Sequence, residues 1–301
     1  MSSPQGGVQA IGIQDPNAKT TTWKLVLTRT YELYAAKFWT YFRIAIVPAV
    51  IAYAFSYFAR IAIRQLVRAS FFPPFSGKWL AMVTALEWTR GAIYWSISAF
   101  FFAAVSVTLM PRGAEDAQAV ADAYTMPRKR LGAVAAVAVA ARTLFYLGFA
   151  LAGFAVAELM YRIAPRNYWA MFSGISLMVL ALAGLLCKFG LAIPELMHNA
   201  HSTAGSAMKK SLKKTAGWEV FFMVFLVKSA AIGYAIYWVA DQGLTWLWQH
   251  WTLNPSGFSW VEWSVYIFIA AVVETPLFIA FSVLYMELQE KAEAHGASAT
   301  D

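Results

Sequence analysis

Residues Leu80–Met110 read LAMVTALEWTRGAIYWSISAFFFAAVSVTLM, and from Gly91 onward the stretch carries no charge. About 20 mostly apolar residues carry a helix across ~30 Å of hydrocarbon. Five further stretches meet the same requirement: Phe38–Leu66, Leu131–Met160, Trp169–Pro194, Trp218–Ala240 and Phe258–Met286. Six spans are therefore expected. Composition agrees, because only 13% of the residues are charged, against about 25% in soluble domains. A water-facing shell around a conventional core is excluded. Trp39, Trp79, Trp169, Trp218 and Trp260 fall near span ends, where amphipathic rings sit at headgroup level.

No connection is long enough to hold a separate soluble domain. One polytopic domain is expected over residues 23–290, between a polar, mobile N-terminal end (1–22) and a mobile C-terminal tail (291–301). The first 22 residues lack the apolar core of a signal peptide, so the first span is expected to stay as an anchor. Cys187 is the single cysteine, which rules out an internal disulfide and a cysteine-based metal cluster.

Lys and Arg divide unevenly between the two sides. One side holds Lys19, Lys24, Arg29 and Lys37, then Arg112, Arg128, Lys129 and Arg130, then Lys209, Lys210, Lys213 and Lys214. The other holds Arg64, Arg68, Lys78, Arg162 and Arg166. The positive-inside rule places the richer side, and with it both termini, in the cytoplasm. A basic rim beside anionic lipid accounts for the net charge of +8, at about 1 kcal/mol per basic residue near the surface. No nucleic-acid reader motif is present, so no nucleic-acid partner is expected.

Each odd-numbered span follows a similar segment: Thr28–Trp39, Ala119–Arg130 and Ala207–Trp218. Each reads as a short helix of mixed apolar and charged positions, at intervals of about 90 residues. The expected fold is all-α: six transmembrane helices as three hairpins, each led by a cytoplasmic amphipathic helix in the interface plane. Lys209, Lys210, Lys213, Lys214, Arg128, Lys129 and Arg130 are the candidate headgroup contacts. A solvated positive-inside loop is the plainer alternative for each leader.

At the third leader the chain resembles a known family. Ala192-Ile-Pro-Glu-Leu196, Ser206-Ala-Met-Lys-Lys-Ser-Leu-Lys-Lys-Thr-Ala-Gly-Trp218 and Ser282-Val-Leu-Tyr-Met-Glu-Leu288 are similar to motifs of prokaryotic six-span proteins. These proteins resemble the membrane domain attached to some glycerophosphoryl diester phosphodiesterases. Thr30-Tyr-Glu-Leu-Tyr34 and Ala121-Asp-Ala-Tyr124 fit its earlier repeats, while Gln289 and Glu290 stand where the pattern has basic residues. The resemblance implies a multi-pass protein of the prokaryotic cytoplasmic (inner) membrane. The catalytic barrel of the fused members is a separate domain with no counterpart in these residues, so its activity is not expected here.

Charges inside spans are costly, by roughly 2.5–3.5 kcal/mol each, and usually face the bundle interior. Arg142, Lys228 and Glu274 fall at similar depth near the midplane, counting about 1.5 Å per residue. They read as a polar site for an ion, a proton or an anionic headgroup, or else as a structural pair that sets helix register. Arg60, Glu87 and Arg90 form a second group nearer the outer surface, read as an ion-paired rim. Glu195-x-x-His198-x-x-His201 is the only metal-like spacing, and half of a di-iron pattern is missing from it. No metal and no cofactor is expected.

The first functional expectation is a non-enzymatic membrane protein that organises lipid or assembles with other membrane proteins. The alternatives are a small transporter or channel using the midplane site, and an accessory subunit of a larger membrane complex. Expected partners are membrane lipids and other membrane subunits.

Overall fold

The computed structural model describes residues 16–73, 76–109, 116–163, 188–216 and 255–297, with Trp218 and isolated positions between 220 and 246. Every regular element among the described residues is helical: α1 (Pro16–Ala36), α2 (Phe38–Arg68), α3 (Gly77–Thr108), α4 (Asp116–Lys129), α5 (Leu131–Ile163), α6 (Ala192–His198), α7 (Ala204–Lys214) and α8 (Pro255–Ala297). Four of them are long and apolar enough to cross a membrane: α2, α3, α5 over Leu131–Gly148, and α8 over Val272–Glu290. The stretches Trp169–Pro194 and Trp218–Ala240 lie largely outside the described residues. Helix α1 already begins at Pro16 and α8 continues to Ala297, so both run into the segments expected as mobile ends.

Three leader helices precede the odd-numbered stretches, as α1, α4 and α7. They dock on the bundle. Helix α1 lies against α8, α4 against α3 and α2, and α7 against α6 and α5. Helix α3 is central, touching α2, α4, α5, α6 and α8.

Among the described residues the core gathers at one end of the long helices. It joins Tyr41 and Ile44 of α2, Phe101–Val107 of α3, Val134 and Val137 of α5, and Ile279–Tyr285 of α8. These are N-terminal parts of α2 and α5 and C-terminal parts of α3 and α8. Hence α2 and α5 leave this end, and α3 and α8 return to it. Seven consecutive residues of α3, Phe101 to Val107, are buried, and α3 is contacted by α2, α4, α5, α6 and α8. Phe102 stacks on Phe278 with ring centroids 4.6 Å apart. The Ser106 and Ser282 hydroxyls meet at 2.8 Å. Toward the opposite end, Phe58, Ile61, Leu66, Leu147 and Leu151 are exposed, which suits a hydrocarbon surrounding rather than water.

The stretch expected to end as a span at Pro194 ends otherwise. Lys188–Leu191 form a turn, and the short α6 follows with six of its residues buried. Pro194 is its third residue, in the first turn, where the missing N–H leaves no helix bond unmade. At Gly190 the turn presses on α8. A Cβ there would lie 2.5 Å from the Phe281 ring, so the approach requires glycine.

Candidate functional site

The capping box that starts α7 fixes which lysines face inward. Thr203 Oγ1 accepts from the Ser206 N–H at 3.3 Å, and the Thr203 N–H donates to Ser206 Oγ at 2.9 Å. Ala207, Ser211 and Thr215 then form the buried face at helical spacing. Ser211 Oγ donates to the Lys188 carbonyl at 2.6 Å, tying α7 to the turn before α6.

Beside this face, Lys210 and Lys214 reach Glu195 of α6. Lys210 Nζ lies 2.7 Å from Oε1 and Lys214 Nζ 3.1 Å from Oε2. The Tyr285 hydroxyl donates to Oε2 at 2.9 Å, and Ser202 Oγ and Asn199 Nδ2 each donate to Oε1 at 3.3 Å. Glu195 is 3% exposed, yet it stays ionised. Burial by itself would raise its pKa; the Lys210 hydrogen bond, the Lys214 charge and the Tyr285 hydroxyl outweigh burial and bring it down to about 2. Lys214 also sits 4.3 Å from the Tyr285 ring centroid.

The run of four lysines is thus divided. Lys210 and Lys214 are held by Glu195, while Lys209 and Lys213 point to the exposed side with no acidic partner among the described residues. Arg130 is likewise committed. Its guanidinium donates to the carbonyls of Leu196 and Ser202, and to that of Asn199 at 2.9 Å. These carbonyls end α6 and the loop after it, where helix geometry leaves acceptors without donors. Arg128 and Lys129, in the last turn of α4, are exposed and have no acidic partner among the described residues.

The Glu195, His198 and His201 spacing does not converge on one point. Glu195 is occupied by lysines. The His198 ring lies beside that of Tyr285, with centroids 5.1 Å apart and planes tilted by 41°. His201 is exposed, and its backbone N–H donates to Asn199 Oδ1 at 3.2 Å. Burial lowers the pKa of His198, the Glu195 carboxylate opposes that, and the Lys214 charge adds to it. Among the described residues no group of three or more His, Cys, Asp and Glu could hold a metal ion.

The midplane residues occupy separate places. Arg142 lies against Gly91 of α3 and over the rings of Trp95 and Tyr146, each 5.4 Å away. Glu274 lines a small cavity of about 10 Å³ with Tyr53 and Tyr94, between α2, α3 and α8. Lys228 is exposed. No ion pair joins the three. Of the outer group, Arg90 pairs with Glu87 at 2.7 Å and donates to Ser56 Oγ at 2.9 Å; Arg60 is not part of that pair.

The Glu195 node was not singled out as an anchor from sequence, although a signal exists. Glu195 is the only acid between Glu158 and Glu219, in a segment carrying Lys188, Lys209, Lys210, Lys213 and Lys214. A second anchor, Arg29 with Glu287 at 2.7 Å, joins α1 to α8. Fold and site together define an all-helical protein with membrane-length helices and docked basic leader helices. No protein family, curated protein or solved structure matches the chain.

Proposed function

We infer that this chain is a non-enzymatic, multi-pass protein of a prokaryotic cytoplasmic membrane that organises anionic lipid or assembles with other membrane proteins. It would have six spans in three hairpins and both termini in the cytoplasm. One observation carries the reading. Arg128, Lys129, Lys209 and Lys213 stand exposed, without acidic partners among the described residues, on leader helices held firmly to an apolar bundle. Cations kept free at that height attract anionic headgroups. The likeness to the membrane domain of some glycerophosphoryl diester phosphodiesterases agrees with a lipid setting.

The test uses nanodiscs containing phosphatidylglycerol and phosphatidylcholine. The protein should enrich phosphatidylglycerol around itself, and joint replacement of Arg128, Lys129, Lys209 and Lys213 by Gln should abolish the enrichment. A wild-type protein that shows none sinks the reading. Purification in mild detergent checks the assembly arm, since a subunit of a larger complex brings fixed partners with it. A transporter reading has less support, because Arg142, Lys228 and Glu274 do not meet. It requires flux in liposomes that Glu274→Gln abolishes.

A further inference from the structure

Pro48 lies inside α2 and has no N–H, so the carbonyl of Ile44 loses its helical donor. The Tyr124 hydroxyl of α4 donates to that carbonyl instead. Tyr124 also stacks on Phe100 of α3, with centroids 5.8 Å apart and planes 23° from parallel. Burial raises the Tyr124 pKa to about 12, so the hydroxyl remains a neutral donor. These contacts hold α4 across the mouth of a groove between α2 and α3.

The groove encloses about 490 Å³, within the range of about 300–1,000 Å³ of small-molecule sites. Its walls are Val47 and Ile51 from α2 and Ile93, Ile97 and Phe100 from α3. From Ile93 to Phe100 it follows α3 for about 10 Å, at 1.5 Å per residue. The Ser96 hydroxyl, the polar group on this wall, is turned to its own helix, donating to the Ala92 carbonyl at 2.8 Å. The interior wall therefore has no free hydrogen-bond donor and suits a hydrocarbon chain. Val47 is 53% and Ile51 52% exposed, so the groove opens sideways onto the apolar surface of the bundle.

Its mouth is of opposite character. Arg128 lines the groove and also a second hollow of about 260 Å³, which Tyr124, Thr125 and Lys129 share. Two cations without acidic partners among the described residues stand where the apolar wall ends. A guanidinium binds phosphate through paired donors, and an ammonium adds charge.

We propose that this groove is a binding site for one anionic glycerophospholipid, with an acyl chain between α2 and α3 and the phosphate on Arg128 and Lys129. The charge of the mouth and its continuity with the apolar groove select this occupant over a free anion or an uncharged lipid. The site rests on the lipid reading above but is narrower: it holds one molecule, on residues distinct from Lys209 and Lys213.

The experiment is native mass spectrometry of the detergent-purified chain, titrated with phosphatidylglycerol or phosphatidylcholine. One phosphatidylglycerol should be retained at least tenfold more tightly than phosphatidylcholine. Arg128→Gln with Lys129→Gln should weaken its retention about tenfold. Val47→Trp, at an exposed wall position, and Ser96→Trp should each displace the chain while the cations remain. Lys209→Gln with Lys213→Gln should leave the single lipid in place. Equal retention of both lipids, or retention unaffected by the mouth and groove variants, overturns the site. So does uptake of inorganic phosphate at Arg128 with no lipid retained. Nanodisc enrichment that persists in any of these cases leaves the broader reading standing.

Discussion

Glu195 concentrates the electrostatics of the leader-helix end in one carboxylate. Its folded pKa of about 2 lies below the ordinary value of 4.5. A depressed carboxylate stabilises the fold above its unfolded pKa and loses that contribution as pH falls through the folded one. Acid loss of structure between about pH 4.5 and 2 should therefore have a component that Glu195→Gln removes. At neutral pH the same change should cost about 1–3 kcal/mol, since two lysines lose their counter-charge but are exposed enough to rehydrate. Thermal melts in detergent at several pH values check both effects; an unchanged pH profile would refute the assignment. At Tyr124 the argument is one of replacement. Tyr124→Phe should cost about 1 kcal/mol by leaving the Ile44 carbonyl without a donor. In a Pro48→Ala background the carbonyl regains its helical partner, and the cost should shrink. A double-mutant cycle measures that coupling. Sequence showed that these residues exist, and it marked Lys210, Lys214 and Arg130 as basic. It did not show that they turn inward, because a carboxylate and three carbonyls had first to be brought within reach by the fold.

At the scale of elements, the contacts that matter join segments far apart in the chain. Ser106 and Ser282 link α3 to α8 through a buried hydroxyl pair. Hydrogen bonds between membrane helices average about 0.6 kcal/mol and reach about 1.7, so Ser282→Ala should lower stability by that order. The close approach of the turn at Gly190 to α8 is less forgiving. Gly190→Ala places a methyl against the Phe281 ring, and overpacking of this kind costs about 1–3 kcal/mol. Trimming Phe281 to Leu in the same chain should recover part of the loss, which melts of the two variants would reveal. The leader helices were legible in sequence as mixed apolar and basic segments: α4 (Asp116–Lys129) coincides with the second, α7 (Ala204–Lys214) overlaps the third, and the first, Thr28–Trp39, straddles the end of α1 and the start of α2. That they dock on the bundle follows from tertiary pairings, such as Arg29 with Glu287 and Tyr124 with the Ile44 carbonyl.

At the scale of the whole molecule, burial among the described residues is asymmetric. The buried core gathers where the leader helices and α6 dock, and toward the other end Phe58, Leu147 and Leu151 present apolar side chains outward. The proposed six-span arrangement makes a direct prediction for single cysteines placed in a Cys187→Ser background. Arg166→Cys and Ser256→Cys should react with an impermeant maleimide from outside intact cells, and Lys209→Cys only after lysis. Labelling of Lys209→Cys in intact cells would reverse the orientation. The sequence by itself determined the helical class and the four membrane-length helices α2, α3, α5 and α8, because hydropathy over about 20 residues is a local property. It also determined the basic character of the leaders, which is a matter of composition. Only the tertiary structure decided which cations are spent and which are free. Lys210, Lys214 and Arg130 are consumed by partners on α6 and its loop, and Arg128 is left at a groove mouth. That division depends on which residues distant in sequence share a neighbourhood, and no local pattern encodes it.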